Sequence, residues 1–439
     1  MKHKKTELIL TSKTSVKFAN KNEQDNIIIL INEYQVVCQK FIEILWEEKE
    51  LPRLITKDHT SQINSWLSQR MIQCCAKQAS GIIRGTRQKN KQREHIYQKM
   101  LSDGWTKKAK KLKRIIDQNK FSKPNIKNIC PELDSRFIQF DFDNQTSFDG
   151  WINITSIGNK IKIEIPVKRT KHFNKLNELG ELKKGIRLSR NDISFNFEIK
   201  KKVEKEENIE NLQESPIIKE IPKEKKLIGI DIGVHNIYAL SNGFMSPDDP
   251  YGWNLDKIND RLSRREKGSN GFRRAQELRK NYVGWSLNRI NFDEIEALKC
   301  ERLHDVRRGK TSSRKLSHWN YKHILDLLER KCFLEDVPIY SSSPTYTSQR
   351  CSCCGWVRKS NRKGKIFKCG QCGLHIDADL NASRNLALCL PAISRKERLK
   401  KMNIIGFYWC RNNNLDRKNK ISYIDPLVQE NIVPEALKV

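Results

Sequence analysis

The stretch Leu227-Ile-Gly-Ile-Asp-Ile-Gly233 decides how the second half of this chain is interpreted. Its run of apolar residues around Asp231, closed by a glycine, is typical of a buried strand that ends in a turn. A carboxylate in that position is either a turn residue or a group held at a sheet edge for chemistry. From here the pattern predicts an α/β domain, with helices and short strands at 256–290, 291–298, 318–332 and 337–340.

Downstream of this domain, four cysteines form two Cys-x-x-Cys pairs, 14 residues apart: Cys351, Cys354, Cys369 and Cys372. Two such pairs supply four thiolates for one tetrahedral Zn²⁺. Gly355 and Gly373 follow the pairs, where the backbone must turn tightly. Cys353 adds a thiol inside the first pair, so the spacing favours the four named ligands but leaves Cys353 open as a replacement. Residues 346–374 are therefore predicted to form a zinc ribbon with a structural Zn²⁺.

Three separated carboxylates are candidates for a second metal site: Asp231, Glu296 and Asp379. Each alone has a simpler explanation. Asp231 could belong to a turn after a strand, and Glu296 could lie on a solvated helix or strand face. Asp379 could lie in a helix cap with Asp377 or Asn381. Together, in a basic chain, they are what a two-metal phosphodiesterase needs. Mg²⁺ takes oxygen ligands, and two ions about 4 Å apart stabilise the attacking and leaving oxygens of an in-line displacement.

The charge of the chain points to a polyanionic partner. Among 439 residues, 84 Lys and Arg face 52 Asp and Glu, which gives a net charge of +32. Nucleic acid is the usual polyanion, whereas membrane-surface binding favours short basic amphipathic segments. With 37% apolar residues and no long apolar run, the sequence predicts neither a membrane span nor a secretory signal. The 13 scattered cysteines fit a reducing compartment, so we expect a cytoplasmic protein.

The first half of the chain has a different pattern. Apolar residues at helical spacing predict helices between about 23 and 119, and within them the segment 84–114 has 12 basic and two acidic residues. Period-two alternation then predicts a small β-barrel from strands near 137–142, 152–155, 161–165 and 193–199. Residues 198–226 contain eight Glu and eight Lys without an aromatic residue, which is typical of a solvated linker.

The motifs, in order, resemble the TnpB family of transposon-encoded RNA-guided nucleases and the related miniature type V CRISPR effectors. The matching motifs are Ile-Gly-Ile-Asp231-Ile-Gly, Glu296-Ala-Leu, Pro344-Thr-Tyr-Thr-Ser-Gln-Arg-Cys351-Ser-Cys-Cys-Gly and Asp-Ala-Asp379-Leu-Asn-Ala-Ser-Arg-Asn. The motifs all lie within about residues 227–390. Over roughly the first 200 residues only the arrangement of helical and β-patterned regions resembles the family. Two positions depart from the family pattern: Ala297 replaces its usual acidic or amide residue, and Asp-Ala-Asp lacks its common Arg.

The resemblance implies a multidomain α+β protein that contains an RNase H-like (RuvC) α/β nuclease domain. The implied parts are a wedge β-barrel (1–20 and 129–200), a helical recognition lobe (21–128), a charged linker (201–226), the RuvC domain (227–345 and 375–395), a zinc-ribbon insert that contacts target nucleic acid (346–374) and a C-terminal tail (396–439). It also implies that Asp231, Glu296 and Asp379 hold Mg²⁺ in a two-metal site.

In the function implied by this resemblance, a guide RNA pairs with one strand of target DNA after the protein reads a short flanking motif. The displaced strand then enters the RuvC cleft and is cut. Two alternatives remain open at this stage: a nuclease-silent RNA-guided DNA-binding protein, and a DNA transposase or integrase that acts without RNA. The sequence leaves open whether the protein is a monomer or a homodimer.

Overall fold

A computed structural model of the protein describes residues 7–119, 123–126, 128–142, 146–200, 225–301, 303, 318–388, 390, 393 and 405–409. The chain divides into two units, with the boundary after residue 203. The predicted linker falls at this boundary and lies outside the described residues from 201 to 224.

Within its described residues, the first unit contains five helices, of which the two longest bury apolar side chains along their length or first half. They are α1 (Lys21–Glu47), α2 (Lys57–Ser61), α3 (Gln69–Ser102), α4 (Thr106–Asn119) and α5 (Lys171–Leu179). Asn20 caps α1 by accepting a hydrogen bond from the backbone N–H of Glu23, and Ser68 caps α3 in the same way. The buried residues of α3 end at Ile83, and the side chains of its second half are exposed or half-buried, many of them charged.

The strands of the first unit form two antiparallel sheets. They are β1 (Glu7–Ser15), β2 (Glu132–Leu133), β3 (Ile138–Asp141), β4 (Gly150–Ile154), β5 (Ile163–Val167), β6 (Glu181–Leu188) and β7 (Asp192–Lys200). The orders are β1-β7-β6-β2 and β3-β4-β5. The long-range pairing of β1 with β7 joins the N-terminal strand to this region, with helices α1 to α4 inserted between them.

The predicted β-barrel is corrected by these sheets, because neither of them closes within the described residues. One sheet ends at β2, which is only two residues long, and the other ends at β5, where Pro166 removes a backbone donor. Phe140 on β3 packs against Phe195 on β7, with ring centroids 6.0 Å apart. The two sheets therefore share aromatic packing and remain separate hydrogen-bonded sheets.

The second unit is built around a mixed sheet of β8 (Lys226–Asp231), β9 (Ala239–Leu240), β10 (Ile295–Glu301) and β11 (Ile339–Ser342). Its order is β11-β10-β8-β9, with β8, β10 and β11 parallel and β9 antiparallel to β8. Buried residues from these strands and their helices form one core, among them Ile228, Ile230, Leu298, Ile324 and Leu328. The helices are α6 (Leu255–Arg264), α7 (Asn270–Leu287), α8 (Tyr321–Leu334) and α9 (Ala378–Ala387).

Small strands surround the cysteine motif: β12 (Trp356–Arg358), β13 (Arg362–Lys363), β14 (Ile366–Lys368), β15 (His375–Asp377) and β16 (Gly406–Tyr408). Strands β13, β14 and β15 form one antiparallel sheet, and β12 pairs with β16 from the C-terminal segment. The C-terminal tail had no predicted structure, and apart from residues 405–409 most of it lies outside the described residues.

Helix α9 lies so close to β8 that only glycine fits at position 229. A Cβ atom on Gly229 would collide with the backbone carbonyl oxygen of Ser383 and would lie 2.5 Å from the backbone nitrogen of Ala387. Because backbone atoms cannot move aside as a flexible side chain can, any larger residue must push the helix from the strand. This contact fixes the distance between the middle of β8 and the second half of α9.

We expect Gly229→Ala to lower the free energy of unfolding by about 1–3 kcal/mol, because it overpacks this contact. Denaturant titration of the purified protein measures the change. The matched control is Gly284→Ala in α7, where a Cβ meets nothing within 4 Å. A helical Gly-to-Ala change without a clash is expected to stabilise by about 0.5–1 kcal/mol. Equal midpoints for the two variants would contradict the close contact.

Candidate functional site

Three carboxylates from three elements meet at one edge of the mixed sheet. Asp231 ends β8 and Glu301 ends β10, and the parallel register that pairs Ile230 with Cys300 carries both strands to the same level. Asp379 belongs to the first turn of α9, which Asp377 caps by accepting hydrogen bonds from the backbone N–H groups of residues 379 and 380. The three side chains line one cleft.

Burial and mutual repulsion make this cluster hard to ionise. Burial, followed by the charges of Glu301 and Asp379, raises the pKa of Asp231 well above its usual value. Burial likewise raises the pKa of Glu301 and of Asp379. The guanidinium of Arg362 opposes these shifts, and its Nη2 lies 3.1 Å from Oδ1 of Asp379. If all three carboxylates were ionised, their charge would exceed what Arg362 alone can balance.

The sequence-predicted Glu296 does not join this cluster. It is exposed near the start of β10, five residues before Glu301 and thus about 16 Å away along the strand. Glu301 was missed because the strand was expected to end at Leu298, whereas it continues to Glu301. Two features of the sequence favour Glu301. It stands at the end of a largely apolar strand, as Asp231 does, whereas Glu296 is followed by Ala297, which departs from the family pattern.

The carboxylate of Glu301 is held by neighbours on other segments. The hydroxyl of Thr347 donates a hydrogen bond to it. The Tyr321 hydroxyl, from the start of α8, donates to the backbone carbonyl of Glu301 at 2.5 Å. These contacts fix the end of β10, so that the carboxylate of Glu301 has a defined position in the cleft.

The four predicted zinc ligands come together. The thiol sulfurs of Cys351, Cys354, Cys369 and Cys372 all lie within 4.8 Å of one another. The Cys351–Cys372 and Cys354–Cys369 sulfur distances are 3.5 and 3.6 Å. A zinc tetrahedron with bonds of about 2.3 Å has edges of about 3.8 Å, so the cluster has the size that Zn²⁺ requires. Cys353 is half-buried and is not a member of this four-thiol group.

The ribbon is joined directly to the acidic cleft. Strand β15 runs without a linker into α9, and the backbone N–H of Ala378 donates to the carbonyl of Lys365 at 2.8 Å. Arg362, the cation beside Asp379, lies on β13 between the two cysteine pairs. Lys359, from the same loop, also lines the cleft. Folding of the ribbon thus determines which cations face the carboxylates.

The basic segment of the first unit covers the second half of α3 and all but the last turn of α4. Most of its side chains are exposed, including Arg84, Lys91, Lys107 and Lys111. Two half-buried aromatic residues of this segment, Trp105 and Tyr97, pack under lysines. The ammonium of Lys108 lies 4.7 Å from the ring centroid of Trp105, and that of Lys113 on α4 lies 5.4 Å from Tyr97 on α3.

Within the described part of the chain, no helix is both long and apolar enough to cross a bilayer.

Comparison with known proteins identifies relatives of this chain. Residues 321–386 match the family "Cas12f1-like, TNB domain". A Cas12f1 endodeoxyribonuclease of Sulfoacidibacillus thermotolerans is 42% identical over 77 residues, 17% of this chain and 18% of that protein. InsQ of Escherichia coli (strain K12), whose name assigns it to the RNA-guided DNA endonucleases, is 24% identical over 205 residues, 39% of this chain and 51% of that protein.

A cryo-EM structure of a Cas12f1–sgRNA–target DNA complex aligns with 88% of this chain and 99% of its own at 15% identity, with a TM-score of 0.42. The sequence matches to the curated relatives span less than a fifth of Cas12f1 and about half of InsQ. The family match and these relatives confirm the resemblance to the TnpB family and the miniature type V effectors.

We expect Asp231→Asn to stabilise the metal-free protein at neutral pH. The carboxyl pKa values are higher in the folded chain than in the unfolded chain, so the folded state binds more protons and its stability falls as pH rises from about 4. The Asn side chain carries no charge at neutral pH, so the variant avoids part of this loss of folding stability. Thermal unfolding of nucleic-acid-free protein in EDTA should show a higher Tm for the variant.

Mg²⁺ should then raise the Tm of the wild type more than that of Asp231→Asn, because binding to the folded state stabilises it. The exposed Glu296→Gln is the matched control and should behave as wild type in both conditions. A Tm of Asp231→Asn below wild type in EDTA, or equal Mg²⁺ shifts in both proteins, would contradict a repulsive carboxylate cluster.

We expect about one Zn²⁺ per chain by elemental analysis, lost in Cys354→Ser and retained in Cys353→Ser. These neighbouring residues form a matched pair, and only Cys354 belongs to the four-thiol cluster. Loss of zinc should also lower the unfolding temperature, since structural zinc contributes directly to folding. Zinc loss in the Cys353 variant with retention in the Cys354 variant would exchange the two assignments.

Proposed function

We propose that the protein is an RNA-guided DNA endonuclease whose Mg²⁺-dependent RuvC-type site consists of Asp231, Glu301 and Asp379. One observation carries the proposal. In a chain with a net charge of +32, three partly or fully buried carboxylates from β8, β10 and α9 converge in a single cleft. Carboxylates that lie close together repel one another and do not stabilise the fold. A function that requires these carboxylates is therefore the simplest explanation for their position.

The topology supports an RNase H-like domain, as the resemblance implies. The central strand β8 has an antiparallel neighbour on one side and two successive parallel strands on the other. Beyond β9, Met245 makes a further antiparallel bridge to Ala239, in the position of a third strand. The acids lie at the carboxyl ends of β8 and β10, where open α/β sheets usually bind ligands.

The donor set fits Mg²⁺. The cleft offers carboxylate oxygens, the ligands that Mg²⁺ prefers, and the repulsion that raises their pKa values would be relieved by a divalent cation. Asp231, Glu301 and Asp379 would hold the metal. When bound, Mg²⁺ would lower the pKa of a coordinated water and stabilise charge on the phosphate.

The residues of the chain supply the remaining requirements of phosphodiester hydrolysis. Arg362 and Lys359 bring positive charge to the edge of the acidic cleft, where they can neutralise the oxygens of an approaching phosphate. Thr347 holds the carboxylate of Glu301, and Asp377 fixes the first turn of α9. The four cysteines would keep Zn²⁺ in a structural role, with the ribbon presenting Arg362 to the cleft.

Guide-RNA dependence is supported by the relatives and by the charge of the first unit. Cas12f1 is named a CRISPR-associated endodeoxyribonuclease, and InsQ carries a name that includes RNA guidance. The exposed cations of α3 and α4 suit a nucleic-acid backbone, since lysines and arginines bind phosphates without reading sequence. In this proposal, base pairing between guide RNA and target DNA supplies specificity, and the protein reads only a short flanking motif.

The first experiment is to purify the protein from its host and sequence any RNA that is bound to it. The recovered guide segment then defines a matched plasmid target, with randomised sequence beside it to reveal the flanking motif. A defined RNA separates the proposal from a transposase or integrase that acts without RNA. Mg²⁺-dependent cleavage of the matched plasmid, abolished by EDTA, separates it from a nuclease-silent DNA-binding protein.

We expect Glu301→Gln to reduce cleavage of that plasmid by about 100-fold or more, because it removes a charge that acts on the transition state. Binding of RNA and target should stay near the wild-type level. Glu296→Gln, on the same strand but outside the cleft, should cleave normally. The reverse result, with Glu296→Gln inactive and Glu301→Gln active, would contradict the assignment of Glu301 and favour Glu296, the residue predicted from the sequence.

A further inference from the structure

A histidine lines the acidic cleft without belonging to its carboxylate set. His235 lies in the loop between β8 and β9, four residues after Asp231, and borders the same cleft as the three acids. Its side chain is 39% exposed, so it is accessible to solvent and to a bound substrate. Histidine is the side chain best suited to gain and lose a proton near neutral pH.

The ring of His235 is oriented by a carboxylate. Its Nδ1 lies 2.7 Å from Oδ1 of Asp256, the second residue of α6. A carboxylate accepts hydrogen bonds, so this contact keeps the proton on Nδ1 and leaves Nε2 as the nitrogen that can exchange one. The other carboxylate oxygen of Asp256 lies 3.6 Å from the ammonium of Lys365 on the ribbon. The histidine is thereby held between the sheet, α6 and the ribbon.

The loop that carries His235 lies against Asp379. A Cβ atom on Gly233 would lie 2.9 Å from Oδ2 of Asp379. The side chain of Asn236, on the same loop, acts to lower the pKa of this carboxyl group. Burial raises the pKa of Asp379, while the charges of Arg362 and His235 act in the opposite direction. The loop that carries His235 therefore adjoins one of the three carboxylates, and His235 lines the same cleft.

We propose that His235 is the general acid that protonates the leaving oxygen during DNA cleavage, with Asp256 as its positioning residue. This inference rests on the proposed nuclease function. As the oxygen of water forms a bond to phosphorus, the P–O3′ bond breaks and its electron pair stays on the 3′ oxygen. The proton on Nε2 of the imidazolium passes to that oxygen, which gives the 3′-hydroxyl and 5′-phosphate products. The exposed ring then regains a proton from solvent, and the proton of the attacking water is released to solvent.

The test compares two leaving groups. The cut bond is first mapped on ordinary matched DNA with the ribonucleoprotein, and a second substrate is made with sulfur replacing the bridging 3′ oxygen at that bond. Single-turnover cleavage of both substrates is measured for the wild type and for His235→Ala, with Mn²⁺ as the divalent cation throughout because it accepts sulfur better than Mg²⁺. A thiolate leaves without protonation, whereas an alkoxide needs the proton.

We expect His235→Ala to slow cleavage of the oxygen substrate by about 100-fold, the usual contribution of a general acid, and to cleave the sulfur substrate at the wild-type rate. His235→Asn is the second variant, because its amide can keep the hydrogen bond to Asp256 but cannot donate the proton. It should be as slow as His235→Ala on the oxygen substrate and as fast as wild type on the sulfur substrate.

Equal slowing of both substrates by His235→Ala would overturn the proposal. A wild-type rate of His235→Asn on the oxygen substrate would also overturn it, because it would show that His235 only positions other groups. Wild-type rates for His235→Ala on both substrates would also overturn it. Failure of the proposed function is a separate result, since the wild-type ribonucleoprotein would then cleave neither substrate.

Discussion

The guanidinium of Arg350 joins three parts of the second unit: helix α9, the ribbon and the last described segment of the chain. The side chain is completely buried. Its Nε donates to the carbonyl of Trp409 at 2.8 Å, and its Nη1 donates to Asn385 Oδ1 at 2.7 Å and to the carbonyl of Cys351 at 3.0 Å. A buried charge is tolerated only with such partners, so these three segments must be in place together.

The same network reaches the acidic cleft. Asn381 and Asn385, both on α9, donate to the carbonyl of Arg350, and Asn385 also donates to the carbonyl of Thr347. Thr347 in turn donates to Glu301. The helix that supplies Asp379 and the residue that holds Glu301 are therefore anchored to one cation. We regard this cluster as the reason that carboxylates from separate elements can be kept close despite their repulsion.

The sequence was sufficient for those parts of the site that depend on local spacing. The four cysteines followed from the two Cys-x-x-Cys pairs, and Asp231 from the apolar strand that it ends. Glu301 could not be chosen over Glu296 because that choice depends on where β10 ends and how it pairs with β8, which are tertiary facts. In the first unit, alternation identified strands but not their closure, so a barrel was predicted where two sheets form. Helix α5 and strand β16 were not predicted, since a nine-residue helix and a three-residue strand are stabilised mainly by their neighbours.

The pairing of β16 with β12 has a consequence for the order in which the protein is made. Ribosomal synthesis proceeds from the N-terminus, and upstream parts can fold while downstream residues are still absent. Two interactions must wait until this last segment has been synthesised. They are the hydrogen bond from Arg350 to the carbonyl of Trp409 and the apolar cluster of Val357, Phe407 and Trp409. A nascent chain thus contains all three cleft carboxylates well before it contains the strand that completes their support. Until Trp409 has been added, the guanidinium of Arg350 lacks its hydrogen bond to the carbonyl of that residue.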